Sequence, residues 1–147
     1  MCIRDRDKVF AINLDASMII CRKFIRGMVK NKWGRIVNIS SVVASTGNPG
    51  QSNYVAAKSA LNGLTKSLAL EVATRGVTVN SISPGFIDTA MTAKLTDDQK
   101  RKITEKIPMG KMGTGEDISS LVSFLVSNEA GYITGQNIHV NGGLFLT

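Results

Sequence analysis

The hydrophobic positions of this chain follow two different periods. Over long segments, apolar residues recur every three to four positions, as on one face of an α-helix, and short apolar runs typical of buried strands lie between them. Helices are predicted over residues 9–30, 52–74, 97–106 and 116–127, and strands over residues 35–40, 77–83 and 137–140. Strands separated by helices favour right-handed crossovers and a parallel sheet, so the pattern predicts one α/β domain rather than two domains.

Glycine and proline mark the loops between these elements. Pro84 and Gly85 predict a loop directly after the second strand. The dense glycine run at residues 110–115 does not follow a strand, so it is interpreted as a loop in which Thr114 or Gly115 lies near the cap of the next helix. A nucleotide-binding glycine loop would need a strand before it.

The long second helix has two stripes that are suited to packing. The large stripe consists of Ala57, Leu61, Leu64 and Leu68, and the small stripe consists of Ala56, Ala60, Gly63 and Ser67. The large stripe can cover the sheet, while the small side chains would let the backbone of a neighbouring subunit come close. A wide face buried within one subunit is the alternative.

Composition narrows the class of protein. The chain has 147 residues, of which 43% are hydrophobic and 20% are charged, which is typical of a soluble globular domain. The apolar run that ends at Cys21 is interrupted by charged residues well before the length needed to cross a bilayer, so no membrane span is expected. Cys2 and Cys21 have neither metal-ligand nor disulfide-scaffold spacing, which favours a reducing cytoplasmic setting and no metal.

A formal net charge of +7 raises the question of nucleic-acid binding. The basic residues recur along the first predicted helix and its exit without interleaved aromatic residues or a recognisable binding module, so a nucleic-acid role is not favoured. A basic surface of this kind can instead steer an acidic protein partner. An ordinary solvated basic face is the alternative.

Tyr54 and Lys58 are the strongest indication in this sequence of a chemical function. Positions four apart share one face of a helix, so the ammonium group of Lys58 lies near the Tyr54 phenol and favours loss of its proton. Ser41 ends the first strand thirteen residues before Tyr54, where a doubly wound sheet presents groups to a ligand, and Asn13 lies further back. Because a tyrosine and a lysine at this spacing also occur by chance, a half-buried aromatic residue and a solvated lysine are the alternative.

The surrounding motifs identify the chain as similar to the short-chain dehydrogenase/reductase family. They are Ala-Ile-Asn-Leu around Asn13, Asn-Ile-Ser-Ser at 38–41, Tyr-Val-Ala-Ala-Lys at 54–58, Asn-Ser-Ile-Ser-Pro-Gly at 80–85, and Thr-Gly at 134–135 with Val-Asn-Gly-Gly at 140–143. The resemblance implies a Rossmann-like doubly wound parallel sheet, truncated here to its C-terminal half. Within the family, the chain looks most like the reductases of 3-oxoacyl chains carried by acyl carrier protein, although acetoacetyl-CoA reductases and sugar or alcohol dehydrogenases share much of the pattern.

The resemblance also implies roles for these residues in an NADP(H)-dependent carbonyl reduction. Tyr54 would be the acid, Ser41 would stabilise the substrate oxygen, Lys58 would hold the cofactor ribose, and Asn13 would maintain a chain of waters leading to Lys58. The cofactor-binding residues would be Tyr54, Lys58, Pro84, Gly85, Ile87 and Thr89, with the last two near the carboxamide of the nicotinamide.

Assembly and partner docking are implied in the same way. Lys32 and Arg75 fall where the resembled reductases carry basic residues that dock acyl carrier protein, with Phe86 as the apolar contact beside them. The family pairs its long helices across a subunit interface, which implies a homo-oligomer, a tetramer in the complete protein. An ordinary basic surface is again the alternative for the docking residues.

Two features set this sequence apart from the family pattern. The Thr-Gly-x-x-x-Gly-x-Gly turn that receives the cofactor pyrophosphate does not occur in it, and residues 1–7 match nothing in the family. Residues 1–7 are therefore interpreted as a non-native or disordered start, and residues 8–147 as the C-terminal part of one domain. The chain is either the catalytic part of a reductase or an inactive fragment that keeps an assembly surface. His139, the only histidine, is assigned a structural role because no second ligand or nucleophile stands at motif spacing.

Overall fold

Three parallel strands form the sheet of the computed structural model, which describes residues 3–90, 92 and 95–146. Strand β1 is Gly34–Ile39, β2 is Val77–Pro84 and β3 is Asn137–Val140. They pair in the order β1-β2-β3, with β2 in the centre. The predicted parallel sheet and α/β class are confirmed.

Helices connect the strands. They are α1 (Ile3–Phe10), a π-helical turn (Ala11–Asp15), α2 (Ala16–Asn31), α3 (Val43–Thr46), α4 (Ser52–Val72), a 3₁₀ turn (Ala73–Arg75), α5 (Asp97–Thr104) and α6 (Gly115–Val126). Among the described residues, no helix has both the length and the apolar character needed to cross a membrane.

The first helical segment begins earlier than the sequence predicted. Helix α1 starts at Ile3 rather than near residue 9, and residues 1 and 2 lie outside the described part. Asp5 in the first turn and Lys8 in the last turn both complement the helix dipole, and α1 packs against α4. The non-native origin of this segment stays a prediction.

The two faces of the sheet are covered by different helices. On one face, Val77 and Val79 of β2 pack against Ala69 and Val72 of α4. On the other face, Ile82 packs with Leu125 of α6 and with Ala130. Successive strand residues point to opposite faces, so Val77 and Val79 face one helix layer and Ile82 faces the other, which gives the doubly wound layering.

The α4 face of the sheet becomes polar towards the carboxyl ends of the strands. Ser81 and Ser83 of β2 are fully buried, and both hydroxyls donate hydrogen bonds to Oδ1 of Asn137 at 3.1 and 2.8 Å. On β1, buried Asn38 donates to the Thr65 hydroxyl of α4 at 2.9 Å. These hydrogen bonds satisfy polar groups that would otherwise be costly to bury, and they lie next to the site described below.

Local differences from the predicted elements have simple causes. Helix α3 was not predicted because four residues are too few to show a helical period. At residues 110–115 the expected loop and cap are confirmed, since Thr114 is the N-cap of α6 and forms a capping box with Asp117.

The two stripes of α4 differ in exposure as expected. Ala57 and Leu61 of the large stripe are buried and Leu64 and Leu68 are half-buried, whereas all four residues of the small stripe are exposed in the single chain.

Candidate active site

Ser41 lies just beyond the carboxyl end of β1. The backbone N–H of Ser40 donates to the Ile82 carbonyl at 2.7 Å, and that of Val42 donates to the Pro84 carbonyl at 2.9 Å, so pairing between β1 and β2 continues past the end of the strand. This fixes the backbone on both sides of Ser41. The Ser41 Oγ accepts a hydrogen bond from the Val43 N–H at 3.4 Å, which leaves the hydroxyl proton available for another acceptor.

Tyr54 and Lys58 lie on one face of α4, as the spacing predicted. The Lys58 Nζ is 5.7 Å from the centroid of the Tyr54 ring. The same Nζ donates a hydrogen bond to the carbonyl of Ile39 at 2.8 Å, which anchors Lys58 at the end of β1.

Two further hydrogen bonds join α4 to the segment that carries Ser41. The Ser40 hydroxyl donates to the Lys58 carbonyl at 3.2 Å, and the Ser59 hydroxyl donates to the Ala44 carbonyl at 2.9 Å. Ser41 lies between Ser40 and Ala44, so the structure brings Ser41, Tyr54 and Lys58 to the same end of the sheet. Ser40 and Ser59 were not singled out from the sequence, although the alternation of Asn38 and Ser40 along β1 marks a polar face.

Burial changes the acid–base behaviour of Lys58. The side chain is half-buried, and its desolvation lowers the pKa below the ordinary value of 10.5. An ammonium group has three donors, and the bond to Ile39 uses one of them. Lys58 can therefore hold further hydroxyl groups and exchange a proton more readily than a surface lysine.

Asn13 lies in the π-helical turn Ala11–Asp15, where the Ala16 N–H reaches back to the Ala11 carbonyl. Its amide Nδ2 donates to the Val9 carbonyl at 3.0 Å. The turn packs against α4, the helix of Tyr54 and Lys58. Such π-turns often occur at functional sites because they change the backbone hydrogen-bonding pattern locally.

The loop after β2 lies beside the Ser41 segment. Pro84 accepts the hydrogen bond from Val42, and the Gly85 N–H donates to the Val140 carbonyl at 2.9 Å. A Cβ at Gly85 would meet the Asn141 Cα at 2.8 Å, so close contact between these backbones requires glycine.

Further along this loop, Ile87 pairs with Gly113 in an isolated parallel bridge. Thr89 is exposed, and its backbone N–H donates a hydrogen bond to the Thr92 hydroxyl at 2.7 Å. Phe86 and Ile87 line a cavity of ≈ 200 Å³ between this loop and the loop before α6. Pro84 and Gly85 thus lie at the site, and Ile87 and Thr89 extend from it.

The proposed docking residues do not form one group within a single chain. Lys32 follows α2 and Arg75 precedes β2, and Gly76 packs so closely on the Lys32 carbonyl that a Cβ there would collide with it. Phe86 follows the carboxyl end of β2, and an eight-residue strand spans roughly 25 Å. The expectation that Phe86 lies beside Lys32 and Arg75 is wrong for the single chain, because residues on either side of one strand lie at opposite ends of the sheet.

His139 is held in a polar cluster near the site. Oδ1 of Asn137 accepts hydrogen bonds from the Ser81 and Ser83 hydroxyls, so its Nδ2 faces His139 Nε2 at 3.4 Å. The Ser45 hydroxyl of α3 also lies 3.4 Å from this nitrogen. The neutral ring can therefore pair with these two neighbours through Nε2. Burial lowers the pKa of His139 below 6.5, which fits the structural role expected from the sequence.

Comparison with known proteins agrees with this geometry. Residues 3–145 match the family model described as enoyl-(acyl carrier protein) reductase, a model of short-chain dehydrogenases/reductases. The chain belongs to the short-chain dehydrogenase/reductase family. The resemblance found in the sequence motifs is confirmed.

Over the matched segments, curated relatives are identical to the chain at about half of the positions. The 3-oxoacyl-[acyl-carrier-protein] reductase FabG of Rickettsia felis is 55% identical over 142 residues, and that of Haemophilus influenzae is 52% identical over 139 residues. Nodulation protein G of a Rhizobium species is 53% identical over 140 residues. These matches cover 95–97% of the chain but only 57–59% of each relative, so the chain spans less than two thirds of the length of the relatives it matches.

Proposed function

We propose that this chain is the catalytic part of an NADPH-dependent reductase that converts a 3-oxoacyl thioester, carried by acyl carrier protein, to the 3-hydroxyacyl form in fatty-acid synthesis. The observation that carries the proposal is the convergence of Ser41, Tyr54 and Lys58 at the carboxyl end of β1. The names of the Rickettsia felis and Haemophilus influenzae relatives support the choice of substrate.

The residues present fit a reduced nicotinamide cofactor, which when bound supplies hydride to the carbonyl carbon. Lys58 has donors left for ribose hydroxyls after its bond to Ile39, and the close packing at Gly85 shapes the adjoining loop. Pro84, Ile87 and Thr89 continue that loop and are the residues that would line the nicotinamide pocket.

Proton transfer is assigned to Tyr54. Negative charge grows on the substrate oxygen as the carbonyl is reduced, and the Tyr54 hydroxyl donates its proton there while the Ser41 hydroxyl donates a hydrogen bond. The ammonium group of Lys58, close to the Tyr54 ring, stabilises the phenolate that remains. Asn13 supports a water chain that returns a proton to Lys58 and Tyr54.

Docking of the acidic carrier protein is assigned to the basic residues Lys32 and Arg75, which lie together and are exposed. Opposite charges steer such encounters and fix their orientation more than they increase final affinity. Phe86, at the other end of β2, is assigned to the cavity beside the site instead.

The reductase proposal is tested in a hybrid protein in which this chain follows the part of the Rickettsia felis relative that it does not span. The hybrid is expected to oxidise NADPH in the presence of a small 3-oxoacyl thioester such as the acetoacetyl ester of N-acetylcysteamine. No NADPH oxidation by a folded hybrid that binds NADPH would contradict the proposal.

The second candidate is an inactive fragment that retains only an assembly surface. It is favoured by one observation: the exposed apolar side chains of Ile19, Ile20 and Phe24 on α2 form a surface suited to contact with another subunit. Titration of the isolated chain against NADPH, followed by cofactor fluorescence, separates the candidates. Binding in the micromolar range would contradict the inactive-fragment candidate.

A further inference from the structure

A basic and aromatic patch lies at the amino-terminal ends of β1 and β2, away from the candidate active site. We define this anchor patch by four residues: Lys32, Trp33, Arg35 and Arg75. Lys32, Trp33 and Arg75 are exposed, and Arg35 is half-buried. The patch includes the two basic residues that the proposed function assigns to docking.

Trp33 is held in place although half of its surface is exposed. Its indole N–H donates to Oδ1 of Asn128 at 3.2 Å, and the Arg35 guanidinium carbon lies 5.2 Å from the ring centroid. The side chain nevertheless remains 52% exposed. A large apolar ring fixed before binding loses little conformational entropy when a partner covers it, which is why tryptophan is enriched among the residues that dominate binding energy.

Arg35 links the ring to three backbone segments. Its guanidinium donates to the carbonyls of Ser127 at 3.2 Å, Gly34 at 2.9 Å and Gly76 at 3.3 Å. Most of its donors therefore serve the fold, and Arg35 stabilises the Trp33 ring rather than offering a free charge to a partner.

The end of α2 places two exposed charges around the ring. Lys32 adopts a left-handed conformation with φ 51°, and the Trp33 N–H closes the turn on the Met28 carbonyl at 3.2 Å. Because Gly76 packs on the Lys32 carbonyl, Arg75 lies next to this turn. Two exposed cations thus adjoin one exposed aromatic ring, and the acidic Glu129 follows Asn128, the residue that bonds to this ring.

We infer that Trp33 is the apolar anchor of the surface that docks an acidic carrier protein, in place of Phe86, and that Lys32 and Arg75 supply the charges around it. The inference rests on the proposed function for the class of partner. Charge complementarity favours an acidic protein, whereas two exposed cations and one exposed ring with a guanidinium already on it give a nucleic acid few contacts.

Trp33 itself reports on the inference, since it is the only tryptophan of the chain. The isolated chain is titrated with an acyl carrier protein that contains no tryptophan, while Trp33 emission is recorded. A saturable change in emission is expected, with binding weakened as ionic strength rises. Saturable binding, confirmed by calorimetry, that leaves the Trp33 emission unchanged would overturn the inference.

Variants then separate Trp33 from Phe86. Calorimetry is expected to show about tenfold weaker binding for Trp33→Ala and unchanged binding for the matched control Phe86→Ala. Asn128→Ala, which frees the ring without removing it, is expected to weaken binding by a smaller factor, so the inference stays testable if Trp33→Ala fails to fold. Loss of binding in Phe86→Ala but in neither of the other two would overturn it.

Two controls distinguish failure of this inference from failure of the proposed function. Reduction of the small thioester by the hybrid protein does not require docking, so reduction without any carrier-protein binding would overturn the anchor inference alone. A single-stranded oligonucleotide that changes Trp33 emission at least as strongly as the carrier protein would assign the patch to nucleic acid and overturn it as well.

Discussion

Lys58 shows how a single residue connects the fold to the proposed chemistry. Its half-buried ammonium bonds to the Ile39 carbonyl and lies near the Tyr54 ring, so the residue that joins α4 to β1 is also the one that would assist proton transfer. Replacement by arginine would keep the charge but not the compact ammonium group that fits beside a carbonyl, because a guanidinium is planar and larger.

His139 allows a test of the polar cluster through pH. The pKa of the folded histidine is lowered below 6.5 by burial, so in the range below 6.5 the unfolded chain takes up a proton that the folded chain does not. The stability that the neutral ring contributes is therefore complete above pH 6.5 and is lost as the pH falls towards the folded pKa.

We predict that the free energy of unfolding of the chain decreases more steeply from about pH 7 to pH 5 than that of His139→Gln, by roughly a few tenths of a kcal/mol per pH unit. Urea unfolding at a series of pH values measures the difference. Because the chain has one histidine, no other imidazole contributes to it. Parallel pH dependences of the two proteins would contradict the lowered pKa.

At the scale of elements, Gly85 and Gly63 can be compared because one is closely packed and the other is not. A Cβ at Gly85 would meet the Asn141 Cα at 2.8 Å, whereas a Cβ at Gly63, on the exposed side of α4, would meet nothing within 4 Å. The first glycine is needed for the approach of two loop backbones, and the second only lowers the stability of a helix.

Gly85→Ala is expected to destabilise the chain by about 1–3 kcal/mol because the loop after β2 must move, while Gly63→Ala is expected to stabilise it by about 0.5–1 kcal/mol. Denaturant unfolding of the two variants at equal concentration provides the comparison. Equal stability of Gly85→Ala and the unmodified chain would show that this loop does not depend on the close contact.

The sequence predicted an element well where loop-forming residues or a clear hydrophobic pattern marked its extent. The bounds of β3 were predicted as observed, and the ends of β1, β2, α4 and α6 were predicted within two residues of the observed ones. Glycine and proline mark some of these ends, as Gly76 and Gly85 do on either side of β2. The start of α1 at Ile3 was missed because its turns are charged and its packing on α4 is a tertiary contact. Helix α3 depends on hydrogen bonds from residues distant in sequence, which no local pattern reveals.

At the scale of the whole molecule, α2 and the turn before it expose many apolar side chains. Ile12, Met18, Ile19, Ile20 and Phe24 are 46–62% exposed in the single chain. A cavity of ≈ 510 Å³ lies between α2 and α4, with Asp15, Arg22 and Glu71 among its lining residues. Exposed apolar surface together with charges of both signs suits a two-fold interface between identical chains, which supports the proposed homo-oligomer.

We expect Ile19→Glu to shift the isolated chain from an oligomer towards the monomer, because a carboxylate at the interface would lose its hydration without a partner. Sedimentation velocity measures the distribution. The control Ser120→Glu introduces the same charge at an exposed position of α6 and should leave assembly unchanged. A monomeric unmodified chain at micromolar concentrations would contradict this interface.

The candidate site was predictable to different degrees from residue spacing. The shared face of Tyr54 and Lys58 follows from helix geometry, and the place of Ser41 follows from parallel strands ending at one edge. The contacts of Ser40 and Ser59 were not predictable, since they depend on how α4 lies over β1. The misplacement of Phe86 was avoidable, because the predicted strand at 77–83 separates it from Arg75 and puts the two residues at opposite ends of the sheet.

The central claim is that Tyr54 donates the proton in carbonyl reduction, and it is tested most directly by removing one hydroxyl group. The chain has two tyrosines, so Tyr132→Phe removes the same group from a fully exposed position and serves as the control. In the hybrid protein, the turnover of the small 3-oxoacyl thioester should fall by about 10²-fold or more in Tyr54→Phe and remain unchanged in Tyr132→Phe. Near-normal turnover by a folded, NADPH-binding Tyr54→Phe hybrid would contradict the account.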